Sequence, residues 1–264
     1  MVFFLTKLIY HIQLDQKNNM TLPLILKPKK NYKLSRFGRN NDGGYLVSNQ
    51  SVLQAKILIS FGILDDISFE SDFLKINQIP ILCYDHTLKK SYWKKRLFND
   101  FGAAIYNLNW NFLSNTIKRY FESKNFFKLD NITLFNKTIS TGNVEEIFNK
   151  NNFSKPLFFK IDIEGSEYRI LNELIEIQES ICGLIIEFHD IDLHLEKIIN
   201  FVQKCNLTLT HVHPNNYGDK DKNGNPTVIE LTFERNPIEI SNNINLPNLY
   251  DHPNNPAPND ITLK

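Results

Sequence analysis

The chain has 264 residues, 42% hydrophobic and 22% charged, which is ample for a sizeable core without disulfides or metal staples. Its 30 basic and 29 acidic residues leave a formal charge of +1, so there is no general electrostatic pull toward nucleic acid or an anionic surface. Cys83, Cys182 and Cys205 are odd in number, lack metal-ligand spacing and lie in apolar contexts; they read as reduced thiols, and a cytoplasmic location is expected.

The opening "MVFFLTKLIYHI" is apolar for only a few residues before Lys7 and has no small-residue cleavage site. It is too short for a signal peptide or a membrane span, so an amphipathic packing helix is expected, with membrane-surface association as the sharper alternative. From Ala55 the chain alternates short apolar blocks with helical patterns, as βα units feeding a mostly parallel sheet do. "AKILISFG" is the first buried strand, and a helix with Asp65 and Asp66 in its first turn follows it. "IPILCYD" is the second, closed by Asp85. Residues 89–127 read as two helices inserted before the third strand, Ile132 to Ser140. Within the insertion "LKKSYWKKR" is compatible with phosphate contact, although such runs are usually the solvated face of a helix.

The fourth strand, "LFFKID", ends on clustered acids and leads into a helix from Gly165 with Tyr168, Leu171, Leu174 and Ile175 at buried-stripe spacing. "CGLIIEFHD" is a fifth strand, apolar enough to be covered on both faces. Beyond one more helix, "LTLTHVHP" and "TVIELTF" flank an Asn, Asp and Gly loop and form a final antiparallel pair. The expected organisation is an extension at 1–35, one domain at 36–235 with a helical insertion at about 88–128, and an extended Pro and Asn tail at 236–264.

Ligands of open parallel sheets bind beyond the carboxyl ends of the strands. Those ends carry Gly62, Asp65 and Asp66, then Asp85, then Asp162 and Glu164, then Glu187, His189 and Asp190. An acid closing the second strand suits ribose hydroxyls, though Asp is also a favoured helix cap. The strand-one turn keeps Gly62 alone rather than G-x-G-x-x-G, and acids at that helix start suit a cationic nucleoside better than a pyrophosphate.

Three segments together, "FGRNNDGGYLV", "ISFGILDDISFE" and "KIDIEGSEYRIL", resemble the FkbM-type S-adenosylmethionine-dependent methyltransferases over most of 36–233. The resemblance implies a Rossmann-like class I α/β fold: a seven-stranded, mostly parallel sheet with its last strand antiparallel and helices on both faces. It further implies S-adenosylmethionine across the ends of strands one and two, with Gly62 facing it, Asp85 at its ribose and Asp65 or Asp66 at its amino group. Asp42, Gly43, Gly44 and Tyr45 of "NDGGY" would line the methionine end.

Methyl transfer to oxygen needs a base, for which His189 is the candidate, supported by Glu187 and Asp162. Asp162, Glu187 and Asp190 could instead hold a divalent metal that acidifies the acceptor hydroxyl. Glu164, His211, His213, Asn215 and Asn216 are assigned to the acceptor; the two histidines alternate with Thr210 and Val212 and so share a strand face. The expected acceptor is a sugar or nucleotide sugar, as in surface-polysaccharide biosynthesis or secondary metabolism. No nucleic acid or membrane span is expected, and a homo-oligomer is compatible. Transfer to nitrogen of another small metabolite, a nucleic-acid methyltransferase resting on residues 88–96, and a non-catalytic module of the same fold stay open.

Overall fold

The computed structural model describes residues 22–150, 154–257, 260–261 and 263. The packing helix expected over residues 1–12 lies outside the described residues. A short ribbon comes first: β1 (Asn31–Tyr32), β2 (Ser35–Phe37) and β3 (Tyr45–Val47), with β2 and β3 paired antiparallel. Ser48 caps α1 (Asn49–Gln54) by accepting from Ser51 N–H.

The βα units follow in chain order: β4 (Ile57–Phe61), α2 (Ser68–Ile76), β5 (Ile81–Tyr84), α3 (Lys90–Tyr106), α4 (Asn111–Phe126), β6 (Ile132–Phe135), α5 (Asn143–Lys150), β7 (Leu157–Ile161), α6 (Leu171–Glu176), β8 (Ile181–Phe188) and α7 (Ile191–Lys204). The chain continues through β9 (Thr208–Pro214), β10 (Ile229–Glu234) and β11 (Glu239–Ser241).

Seven strands form one sheet in the order β6-β5-β4-β7-β8-β10-β9, and β10 alone runs against its neighbours. This is the seven-stranded, mostly parallel sheet that the resemblance implies. Strands β4, β7 and β8 are buried along their whole length because the sheet is covered on both faces, which is why they read as continuous apolar runs. Alternate residues feed two cores, with Phe159, Ile161 and Leu184 in one and Phe158 and Ile185 in the other.

Register decides where chemistry can sit. Phe61 lies level with both Tyr84 and Ile161, and Ile161 with Ile186, so β5, β4, β7 and β8 send their following loops out at one rim. Chain order reverses between β4 and β7, which makes that rim the switch-point crevice.

Three elements differ from the sequence reading. The strand expected to reach Ser140 stops at Phe135. Helix α2 begins at Ser68 rather than Asp65, because the Asp66 side chain accepts Ser68 N–H and closes a turn first. The stripe from Gly165 is split into a 3-10 turn (Glu167–Arg169) and the short α6. The split follows from Glu167, whose carboxylate turns inward to accept Ile163 N–H and Gly165 N–H instead of facing solvent.

The insertion is the expected helix pair. Its base is pinned to the rim by Arg96 and Arg119, 2.9 and 3.3 Å from the Asp65 carboxylate. Within the tail, β11 pairs with β1.

Candidate functional site

Non-glycine residues in the left-handed backbone region are uncommon, and they gather where a turn is held against its preference. Three of them, Leu64, Glu164 and Asp190, stand just past β4, β7 and β8, at φ of 42°, 53° and 51°. These loops carry the acids singled out from the sequence. Gly62 adds a fourth constraint at φ 72°, but its missing side chain makes room for protein, since a Cβ there would sit 1.6 Å from the Asp162 carbonyl oxygen. Gly62 thus permits β4 and β7 to leave the sheet in contact.

At the ends of β7 and β8 a buried polar cluster forms around Tyr45. The Tyr45 hydroxyl donates to Glu187 at 3.0 Å and lies 3.4 Å from Asp162, while Asn215 donates to the other Glu187 oxygen at 2.7 Å. Asp42 stands beside Asn215 and Asn254 at 3.5 and 3.4 Å. Burial raises the Asp42, Asp162 and Glu187 carboxyls above their ordinary range, and mutual repulsion raises Asp42 and Glu187 further. For Asp162 the nearby Lys160 and His189 charges offset part of the rise. A cluster of carboxyls of this kind favours a cationic partner.

His189 stands at the mouth. Its Nδ1 is 3.2 Å from Glu167, and its Nε2 is 3.4 Å from Glu164, 3.9 Å from Glu187 and 4.0 Å from Asp162. Burial disfavours the charged imidazole, but the hydrogen bond and charge of Glu167, with Asp162 and Glu164 beyond, outweigh it and raise the pKa to about 9. His189 is therefore protonated at neutral pH in the ligand-free protein, not poised near neutrality as an unperturbed histidine would be.

The groups able to share a cation also differ from the sequence expectation. Asp162, Glu164 and His189 bring ligand atoms within 4.8 Å of one another. Glu187 is committed to Tyr45 and Asn215, and Asp190 sits at the start of α7, so Asp162, Glu187 and Asp190 are not the set that converges.

On the β4 and β5 side, Asp85 is buried, and its Oδ1 accepts from Thr87 N–H, the Thr87 hydroxyl and Leu88 N–H. Among the described residues its Oδ2 accepts only Leu64 N–H, at 2.8 Å, which leaves lone-pair capacity for one ribose hydroxyl rather than two. Asp85 is both loop organiser and candidate reader. Asp65 is taken by Arg96 and Arg119, and Asp66 pairs with Arg39 at 3.0 Å. Gly43 packs on Asp66, and Gly44 is required by the seat of Arg36, since a Cβ would meet the Arg39 carbonyl at 1.8 Å. The acceptor chemistry of Asp85 and the acid cluster together fits a nucleoside with a cationic end.

His211 and His213 share one face with rings 6.4 Å apart, but the tail covers them. His211 Nε2 lies 2.9 Å from Asp251, and His213 lies 3.5 Å from both Glu230 and Asp260. Asn216 exchanges bonds with Asn255. These residues hold the tail; Asn215 alone of the group reaches the acid cluster. Burial lowers the His213 pKa, but Asp260 and Glu230 outweigh it and raise it to about 10. A histidine raised from its unfolded value near 6.5 stabilises fully below that pH and loses its contribution as pH rises toward 10. The melting temperature should therefore decline between these limits, and His213→Gln should flatten the decline; parallel curves for the two proteins would remove the clamp.

Lys160, Glu167, Glu230 and Asn254 escaped the site assignment. Lys160 left a signal as a lone cation inside an apolar strand, and Glu167 as the last of the acids clustered after that strand; Glu230 and Asn254 depend on contacts made across the fold.

The sequence profile of the methyltransferase FkbM domain matches residues 28–208. Among curated proteins none matches the chain. Among solved structures, similarity extends to a precorrin-6y C5,15-methyltransferase from Geobacter metallireducens at 12% identity and TM-score 0.37, over 71% of this chain and 85% of that one. An rRNA methylase from Streptococcus thermophilus aligns at 12% identity and TM-score 0.37, over 71% and 93%. TrmK of M. capricolum in complex with S-adenosyl-homocysteine aligns at 13% and TM-score 0.34, over 73% and 70%.

Proposed function

The chain belongs to the FkbM methyltransferase family, and from that membership we propose that it methylates a hydroxyl of a sugar or nucleotide sugar. The observation that carries this reading is the rim itself, where buried acids meet a histidine directed at the same space. When bound, S-adenosylmethionine supplies an electrophilic methyl group on a sulfonium. Asp85 Oδ2 would accept from a ribose hydroxyl, and Asp42, Asp162 and Glu187 would favour the cationic end. Glu164, the exposed acid of the mouth, would accept from acceptor hydroxyls. His189, in its neutral form, would take the acceptor proton at Nε2 while Glu167 holds Nδ1. A second reading, supported by the convergence of Asp162, Glu164 and His189, gives the acidifying role to a divalent cation there.

Calorimetric titration with S-adenosylhomocysteine tests the cofactor assignment. Micromolar binding is expected from the wild type and about tenfold weaker binding from Asp85→Asn, which keeps a similar shape while losing the charge. A folded wild type that fails to bind, or a variant that binds equally well, would overturn it.

A further inference from the structure

The hairpin of α3 and α4 has an organisation that methyl transfer does not use. Residues 88–128 contain nine basic and two acidic residues, a net of +7 that leaves the remainder of the chain at −6. The near-neutral total conceals a strongly polarised molecule.

The two chemistries are segregated along the hairpin. Its basic residues, among them Lys90, Lys94, Lys95, Lys118 and Lys124, lie in the early turns of α3 and the later half of α4, at the end pinned to Asp65. From Leu97 to Ile117 the single charge is Asp100, which accepts from Thr116 and pairs with Arg96. That distal half exposes Phe98, Tyr106, Leu108 and Trp110 at 78, 89, 88 and 59%. Trp110 packs edge-on against Phe101, and the exposed polar side chains between these apolar residues at the tip, Asn107, Asn109 and Asn111, are uncharged. Between Lys95 and Tyr106 the helix rises about 16 Å.

We propose that this hairpin docks on an anionic lipid bilayer, its apolar end entering the interfacial region and its basic collar lying against the headgroups. The charge pattern selects this partner. Two hairpins of two copies packed face to face would set +7 against +7. A nucleic-acid strand presents a phosphate at each nucleotide and needs cations interleaved with exposed stacking aromatics, whereas among the cations here Trp93 is buried against Tyr92 and Tyr120, and of the aromatics between them Phe121 alone is exposed. A bilayer presents anionic headgroups above an apolar interior, the same order and on the same scale, and amphipathic elements enter it by about 5–10 Å. No helix among the described residues is long and apolar enough to cross, so the contact is peripheral.

The test is co-sedimentation of the full chain with phosphatidylcholine vesicles, with and without phosphatidylglycerol. Phosphatidylglycerol should strengthen binding by about tenfold or more, with the gain shrinking in high salt. Trp110 fluorescence should shift to the blue and be quenched by brominated acyl chains, and Trp110→Phe should abolish the quenching. Tyr106→Asp with Leu108→Asp should lose binding, and Lys94→Glu with Lys95→Glu should weaken it about tenfold. Phe98→Ser with Leu108→Ser serves as an uncharged second pair, and melting temperatures confirm that each variant folds. Binding that ignores the anionic lipid, tip variants that bind as the wild type does, a fluorescence shift that tracks self-association without lipid, or single-stranded RNA displacing the vesicles would each overturn the proposal.

Discussion

Replacing Lys160 with methionine is expected to lower the unfolding free energy by about 3–5 kcal/mol, the usual consequence of stranding a buried charge, and the melting temperature by roughly 10 °C. Lys160 is 5% exposed. Its ammonium donates to the Gly62 carbonyl at 3.0 Å, lies 3.7 Å from Asp162 and faces the Tyr45 ring at 5.6 Å. Burial alone would lower its pKa, yet Asp162, Glu70, Glu187 and Asp66 leave it raised, so the acids outweigh the loss of water. Glu70 is fully buried, takes one bond from Ser60, and has a second oxygen without a hydrogen-bond partner.

Without the cation, Glu70 and Asp162 would be drawn further toward their protonated forms. Raised carboxyl pKa values make a protein lose stability as pH rises through them, so the variant's deficit should be smaller in mild acid than above neutrality. Glu70→Gln combined with Lys160→Met should recover part of the loss, the coupling being read from a double-mutant cycle. A deficit below about 1 kcal/mol that does not change with pH would show that the buried charge has no such role.

The second large effect concerns turnover. If His189 takes the acceptor proton, His189→Ala should reduce kcat by a factor of about 10²–10⁴ while S-adenosylhomocysteine affinity stays within about twofold. His189→Gln, which retains a partner for Glu167, should be as inactive, separating proton transfer from packing. Because the free imidazole titrates at about 9, the wild-type kcat/KM should climb with pH up to that value, close to tenfold per unit, and His189→Gln should lose the climb. The measurement belongs in chelator-treated buffer. A flat wild-type profile, or alanine activity near wild type, would remove His189 as base, and activity that vanishes with chelation would move the acidifying role to a cation at Asp162, Glu164 and His189.

The two effects concern neighbouring groups, and the sequence disclosed them unequally. "LFFKIDIEG" shows an apolar strand ending on acids, which marks the end as polar whatever lies opposite. The same letters do not disclose that Lys160 neutralises Glu70, ninety residues earlier, or that Glu167 folds back to hold His189. Asp65 illustrates the point. As a first-turn acid it reads as a free anion near a helix start, and in the fold two arginines from the inserted hairpin occupy it.

By itself the sequence determined the class of sheet, the antiparallel last strand and the rim on which the acids stand. Continuous apolar runs, period-two alternation and turn residues are local consequences of burial, and each strand carries its own record of them. Family membership was legible for the same reason, through three contiguous motifs. The tertiary structure alone decided which acids face one another, which are neutralised, and that the tail closes over His211 and His213. Those outcomes depend on pairs far apart in the chain, such as His211 with Asp251, Gly62 with Lys160 and Tyr45 with Glu187. Neither partner changes the periodicity of the other's segment, so only the register of the sheet and the path of the loops could bring them together.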